Sequence, residues 1–374
     1  MVPDRSGDRL PHLALRRPLG DPDRTGHPAT AGGPLGRPVG PRRRTHHVID
    51  FRYHLVSLAA VLIALSIGIV LGAGPLNDNI GSTLSGEVTK LRQEKEALRA
   101  DGNEQRAAIE ARDTYDEQTL PLVVQGRLSD RTVALVRLPE GADDDVQALR
   151  ETLEDAGATV EEPVEVSATW ASTADETVSS RSATGEAALR DLGVSAAVPD
   201  GGQRIDQALA VVLTGTRSPR DGGDRVSREQ RQQAWTQLKD AGLVDGPDET
   251  PDAADLVVVV GGPVSAEDSS DTDTVDRQAE GTSGVWVALT HLIETHAQGT
   301  VLAADEAADG TSDSSPVTMA RLQGSLAEGV STVDDPAVPM GRAAIVLALV
   351  EQLTGESGHY GTGAGAALPV PTFQ

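Results

Sequence analysis

LVVVV, Leu256 to Val260, is the stretch on which the fold turns. Five consecutive apolar residues, four of them β-branched, leave no polar face for water, so a strand built from them must be covered on both sides. Helices provide that cover in parallel sheets, and the expectation is a doubly wound, Rossmann-like, mostly parallel α/β domain. Working outward, Asp255 to Val260 and Thr300 to Ala304 read as strands. Upstream, Thr132 to Leu138, a helix near Asp143 to Ala156 closed by Gly157, and a strand from Thr159 to Val166 make a βαβ opening. Helices are expected at Gln203 to Leu213, Arg228 to Ala241, Gly284 to Ala297 and Met340 to Thr354. Ser227 with Gln230 has the spacing of a capping box, and Gly242 is placed as a C-terminal stop. Residues 167–183 and 264–282 read as long polar loops, and Gly-rich then Pro-rich residues 358–374 as a flexible tail, which bounds this domain at 120–357.

Nearer the N-terminus, Leu55 to Asn77 holds 23 consecutive uncharged residues. About 20 cross the hydrocarbon core of a bilayer, so residues 48–76 read as a membrane anchor. Arg42, Arg43, Arg44 and Arg52 precede the uncharged stretch that starts at Leu55, and no Lys or Arg follows it until Lys90. That asymmetry places the N-terminus in the cytoplasm and the C-terminal body outside, in a single pass. A cleaved signal peptide is the rival reading, with Gly72 and Gly74 as small residues before a cut, but Pro75 is unfavourable after one. Ala60, Ala64, Gly68 and Gly72 recur every four residues, a strip on which a second helix could approach closely, so self-association is expected there.

Residues 77–119 read as a stalk. Leu84, Val88, Leu91 and Leu98 alternate by four and three, with Lys95 at the intervening core position and Glu87, Arg92, Glu94 and Arg99 around them. This is the pattern of a short parallel coiled coil reaching to about residue 112, against the alternative of a lone amphipathic helix folded onto the body.

The net charge of −25 is unevenly shared: residues 1–54 hold ten Arg and five Asp, +5, which leaves −30 for the rest. So acidic a body repels phosphate and anionic headgroups, which argues against nucleic acid as a partner. With no Cys there is no disulfide framework, thiolate site or thiol nucleophile. Residues 1–47, rich in Pro, Gly and Arg, lack apolar periodicity and are expected to be disordered. They read either as a basic tail or, preferably, as sequence upstream of a true start at Val48.

No catalytic motif stands out, and the protein is expected not to be an enzyme. None of Lys90, Lys95 and Lys239 lies in a phosphate loop, and neither HExxH nor GxSxG occurs. Gly261 and Gly262 follow the strongest strand, where an anion could meet backbone amides or where the chain simply turns tightly. Gly361, Gly363 and Ala366 have dinucleotide-motif spacing but lack the strand before and the helix after that would make it work. For a soft metal the body offers His291, His296, His359, Met319 and Met340; the first two, five apart on a helix, do not share a face. Glu267, Asp268, Asp271, Asp273 and Asp276 form an acidic loop that reads as a solvated face.

The segment VIDFRYHLVSLAAVLIALSIGIVLGAGPL (Val48 to Leu76) resembles the opening of the actinobacterial MctB-like copper transport protein family. VSTVDD (Val330 to Asp335), AAIVLALVEQL (Ala343 to Leu353) and SGHYGTGAGA (Ser357 to Ala366) resemble its close. The resemblance implies copper transport or homeostasis in the cell envelope, copper as the ion handled, and a family described as an outer-membrane channel. The residues by themselves favour a dimeric coiled-coil scaffold that presents an α/β domain to an envelope partner in cell-wall assembly or division.

Overall fold

The computed structural model describes residues 51–72, 76–197, 202–217, 225–264, 272–306, 315–324 and 328–372. The extension 1–47, Val48 and the acidic loop around Glu267 to Asp271 lie outside them. The chain divides into two compact units, Met1–Lys90 and Leu91–Gln374.

In the first unit, helix α1 is Phe51–Gly72, with none of its residues buried. It is the one helix among the described residues long and apolar enough to cross a membrane. At about 1.5 Å per residue it reaches roughly 33 Å, enough for a hydrocarbon core of about 30 Å. Helix α2 is Leu76–Val124, with residues in both units.

The second unit is built on one sheet. Its strands are β1 (Thr132–Arg137), β2 (Thr159–Val160), β3 (Val164–Val166), β4 (Val244–Asp245), β5 (Leu256–Gly261), β6 (Gly299–Ala304), β7 (Ser331–Val333) and β8 (His359–Tyr360). They lie in the order β4-β3-β1-β5-β6-β7-β8, with β2 also beside β1. Every pairing is parallel except β3 with β4. The helices are α3 (Asp143–Asp155), α4 (Asp175–Leu192), α5 (Gln203–Thr214), α6 (Arg228–Asp240), α7 (Thr272–His296), α8 (Pro316–Leu322) and α9 (Pro339–Gln352).

The demand made by LVVVV is met residue by residue. Val257 and Val259 enter one apolar core with Val136, Leu302, Leu209, Trp235 and Trp286. Leu256, Val258 and Val260 enter the other with Leu135, Val301, Leu149, Ile345 and Leu349. Alternate side chains leave opposite faces of a strand, so a strand apolar throughout feeds two cores, and the mostly parallel α/β architecture follows. The end of α2 belongs to the second core through Leu120 and Val124, and Glu117 pairs with the buried guanidinium of Arg342 at the start of α9.

Several local expectations need correction. The strand expected from Thr159 to Val166 is two short strands, interrupted at Glu161 to Pro163; Glu161 N still donates to Val133 O, and Pro163 has no N–H to give the ladder. The loop expected at 167–183 contains a 3-10 turn, Ala168–Ala171, and the first half of α4. That helix has a weak apolar signal because small residues make its contact: a Cβ on Gly185 would fall 2.7 Å from the amide nitrogen of Ile205 on α5. The loop expected at 264–282 is helical from Thr272. The flexible tail begins instead with β8, paired in parallel with β7, and Tyr360 is buried. The capping box stands as read: Ser227 Oγ accepts from Gln230 N, and Gln230 returns the bond. Gly242, at φ 65°, follows the end of α6.

Candidate site at the carboxyl edge of the sheet

Parallel α/β sheets bind ligands beyond the carboxyl ends of their strands. Among the described residues, the chain itself fills the parts of that region beyond β5, β6 and β7. A Cβ on Gly262 would overlap the carbonyl oxygen of Glu140, and one on Gly261 would fall 3.0 Å from Leu138 Cδ1. These glycines let the loop after β1 close over the end of β5; Leu138 N donates to Val260 O at 2.8 Å there. Burial raises the pKa of Glu140 above the usual carboxylate value.

Beyond β6 and β7 the filling is ionic. Arg321 on α8 and Asp334 after β7 form a pair at 2.7 Å, with side chains 0% and 1% exposed. Arg321 Nε also donates to Thr332 Oγ1 at 2.9 Å, and Nη2 to Tyr360 O at 2.5 Å. Asp334 accepts in addition from Thr362 N at 2.8 Å and Gly363 N at 2.9 Å, while Glu306 accepts from Ala364 N at 2.9 Å. A Cβ on Gly361 would overlap Asp334 Oδ1, and one on Gly363 would overlap Glu306 Oε1; Gly361 also stands at φ 126°. The glycines of the C-terminal segment are thus required by its wrapping around a buried carboxylate. Burial together with Asp145, Asp335 and Asp334 raises the pKa of Asp305, and burial together with Asp334 raises that of Asp335. Protonating either would relieve the crowding of negative charge.

The soft-metal candidates do not converge. Met319 is buried, with its sulfur 3.6 Å from the position of a Cβ on Gly284. His291 and His296 lie seven and twelve residues farther along α7, so at about 1.5 Å per residue they stand roughly 10 and 18 Å down the axis. His296 is buried at the other edge of the sheet, its Nδ1 2.9 Å from Thr295 Oγ1 and 3.0 Å from Leu292 O, and burial lowers its pKa. His359 on β8 faces Thr332 Oγ1 through Nδ1 at 2.9 Å. That hydroxyl already accepts from Arg321, so its proton is available to His359 Nδ1, and burial lowers this pKa as well. Met340 is half-buried in the first turn of α9. Among the described residues no three of His, Asp and Glu gather as a metal-binding group.

Sequence reading missed Arg321, Asp334 and Glu306. The available signals were the carboxylates ending VSTVDD and the unexplained glycine spacing at 361 and 363. On α1, added Cβ atoms at Gly68 and Gly72 would have nothing within 4 Å, so the strip they share with Ala60 and Ala64 is open in the single chain. On α2, Leu84, Val88, Leu91 and Leu98 are 63, 39, 60 and 71% exposed.

Two comparisons with known proteins bear on these features. The copper transporter MctB of Mycobacterium tuberculosis is 30% identical over 325 residues, covering 85% of this chain and 98% of the relative. That of Mycobacterium leprae is 30% identical over 333 residues, covering 87% and 100%. The family described as "Copper transport outer membrane protein, MctB" matches residues 48–371, the span that includes α1, the whole sheet and the segment wrapped around Asp334. The chain belongs to the MctB family of copper transport outer membrane proteins.

Proposed function

We propose that this protein is a non-catalytic copper-homeostasis protein of the cell envelope, held by α1 with its N-terminus in the cytoplasm and its α/β domain outside. The observation that carries the reading is the join of an unburied apolar α1 to a domain whose family relatives are named copper transporters. The Arg residues on one side of α1 support the orientation. The non-catalytic role is supported by the part of the carboxyl edge beyond β6 and β7, which Arg321, Asp334 and the C-terminal loop occupy.

The sheet is an open one with ends at β4 and β8 and with helices over both faces, so its apolar residues serve two protein cores instead of facing lipid. From Leu55 onward, α1 offers only Ser57 and Ser66 to line a path for an ion. Copper therefore passes onward through a partner or an assembly, with this protein as the envelope-side component. Deletion of the gene should raise cell-associated copper under copper stress, and the full chain should restore it. Unchanged copper content would overturn the reading. The exposed stripe on α2 favours the second reading, a dimeric scaffold serving an envelope partner, and that reading survives an unchanged copper content.

A further inference from the structure

The exposed stripe on α2 carries a charge code that specifies its occupant. With Val88 and Lys95 at a, the d positions are Leu84, Leu91 and Leu98. The g positions are then Glu87, Glu94 and Asp101, and the e positions Arg92, Arg99 and Arg106. Each acid lies five residues before an arginine, the separation at which g of one helix meets e of a parallel neighbour. The outward positions, among them Thr89, Lys90, Gln93, Glu96 and Ala100, are polar or small.

We propose that Leu84 to Arg106 of α2 pairs with the same segment of a second copy as a parallel, in-register, two-stranded coiled coil, selected by the pairs Glu87–Arg92, Glu94–Arg99 and Asp101–Arg106 between chains. The sequence is complementary to itself only when the helices run parallel and in register. In an antiparallel pair g faces g and e faces e, which sets acid against acid and arginine against arginine. A β-branched residue at a with Leu at d favours two strands, and one Lys at a penalises larger bundles while its stem lies along the seam. Gly102 at a and Gln105 at d end the apolar seam, so the last charge pair is also its boundary.

About three heptads is short for a free coiled coil. Confinement of both chains by α1 raises their effective concentration, and that part of the argument rests on the anchoring proposed above. Recovery of the full chain in the membrane fraction tests the anchoring by itself, whatever happens at the stalk.

The chain has no Cys, so single cysteines report pairing without background. In membranes holding the full chain, Leu84→Cys and Leu98→Cys should each cross-link on mild oxidation at least about tenfold more than Gln93→Cys, because d positions face each other and f positions face water. An antiparallel pair can align at most one of the two d sites with itself. Charge swapping supplies the second arm. A chain with Glu87→Arg, Glu94→Arg and Asp101→Arg, and another with Arg92→Glu, Arg99→Glu and Arg106→Glu, should each lose the Leu98→Cys cross-link when expressed alone and regain it when expressed together. Equal cross-linking at 84, 93 and 98, none at either d site, or no recovery on co-expression would each overturn the proposal.

Discussion

Replacing Asp334 by Ala tests whether the ion pair at the carboxyl edge holds the C-terminal segment in place. Asp334 is 1% exposed at its side chain and accepts from Arg321, Thr362 N and Gly363 N. Its removal leaves the guanidinium of Arg321, 0% exposed, without its counter-charge, and two backbone amides without an acceptor. Breaking one partner out of a buried pair costs about 3–5 kcal/mol. At about 2–4 °C per kcal/mol, the thermal midpoint of the full chain should fall by roughly 6–20 °C. Arg321→Met with Asp334→Leu should recover part of this, because the cost of an uncompensated charge disappears; the amides of Thr362 and Gly363 and the carbonyl of Tyr360 then lack partners, at up to about 1–3 kcal/mol each, and keep the double variant below the parent. Calorimetry in detergent and limited proteolysis of the C-terminal segment would measure both effects. An Asp334→Ala protein within about 1 kcal/mol of the parent, with an equally protected C-terminus, would refute the reasoning.

Acidification should weaken the fold through its histidines. Burial lowers the pKa of His296 and His359, so the folded state binds fewer protons than the unfolded one; stability is complete above about pH 6.5 and falls as pH drops from there toward the lowered values. His296→Gln should flatten part of that slope in a series of thermal midpoints between pH 7.5 and 5.5, and an unchanged slope would exclude His296 as a contributor. A second site is Gln352, which accepts from Thr300 N at 2.6 Å and donates to Thr300 O at 2.7 Å and Ser331 Oγ at 2.8 Å. Gln352→Ala should cost about 2–4 kcal/mol in a denaturant titration, because it strands a buried amide and a buried carbonyl at the start of β6.

What the sequence revealed follows from how each element is held. β1, β5 and β6 contain the apolar runs Val133–Val136, Leu256–Val260 and Val301–Ala304, buried on both faces, and local composition suffices to find them. α5 and α6 carry their own stop or cap at Gly215 and Ser227. By contrast, α4 is polar over most of its length and packs through Gly185 and Ala188, so periodicity gave little sign of it. β7 and β8 are three and two residues long. β8 is held by Arg321, 39 residues upstream, and by pairing with β7, and no window around HYG contains that information. The same holds for the soft-metal candidates: listing His and Met side chains says nothing of where they lie, and the fold distributes them among α7, α8, α9 and β8. For the carboxyl edge, the glycine spacing was visible but its reason was a carboxylate elsewhere in the chain.

The course of α2 links the stalk to the domain. The helix spans Leu76–Val124 and belongs to the second unit from Leu91 on. Its final turns are part of the second core through Leu120 and Val124, and Glu117 is paired with Arg342. Pro121 lies in those turns; it lacks the N–H that would bond the carbonyl of Glu117, yet the helix persists to Val124, where the core supports it. Rotation at this junction would expose Leu120 and Val124 and break the Glu117–Arg342 pair, so the part of α2 from Leu91 onward turns with the domain. Two chains paired in register at Leu91 and Leu98 would accordingly hold their α/β domains at one fixed angle about the coiled-coil axis. If the protein serves copper handling through a partner, that partner meets a surface repeated by two-fold symmetry, and substitutions that uncouple the stalk should impair function without altering the fold of either domain.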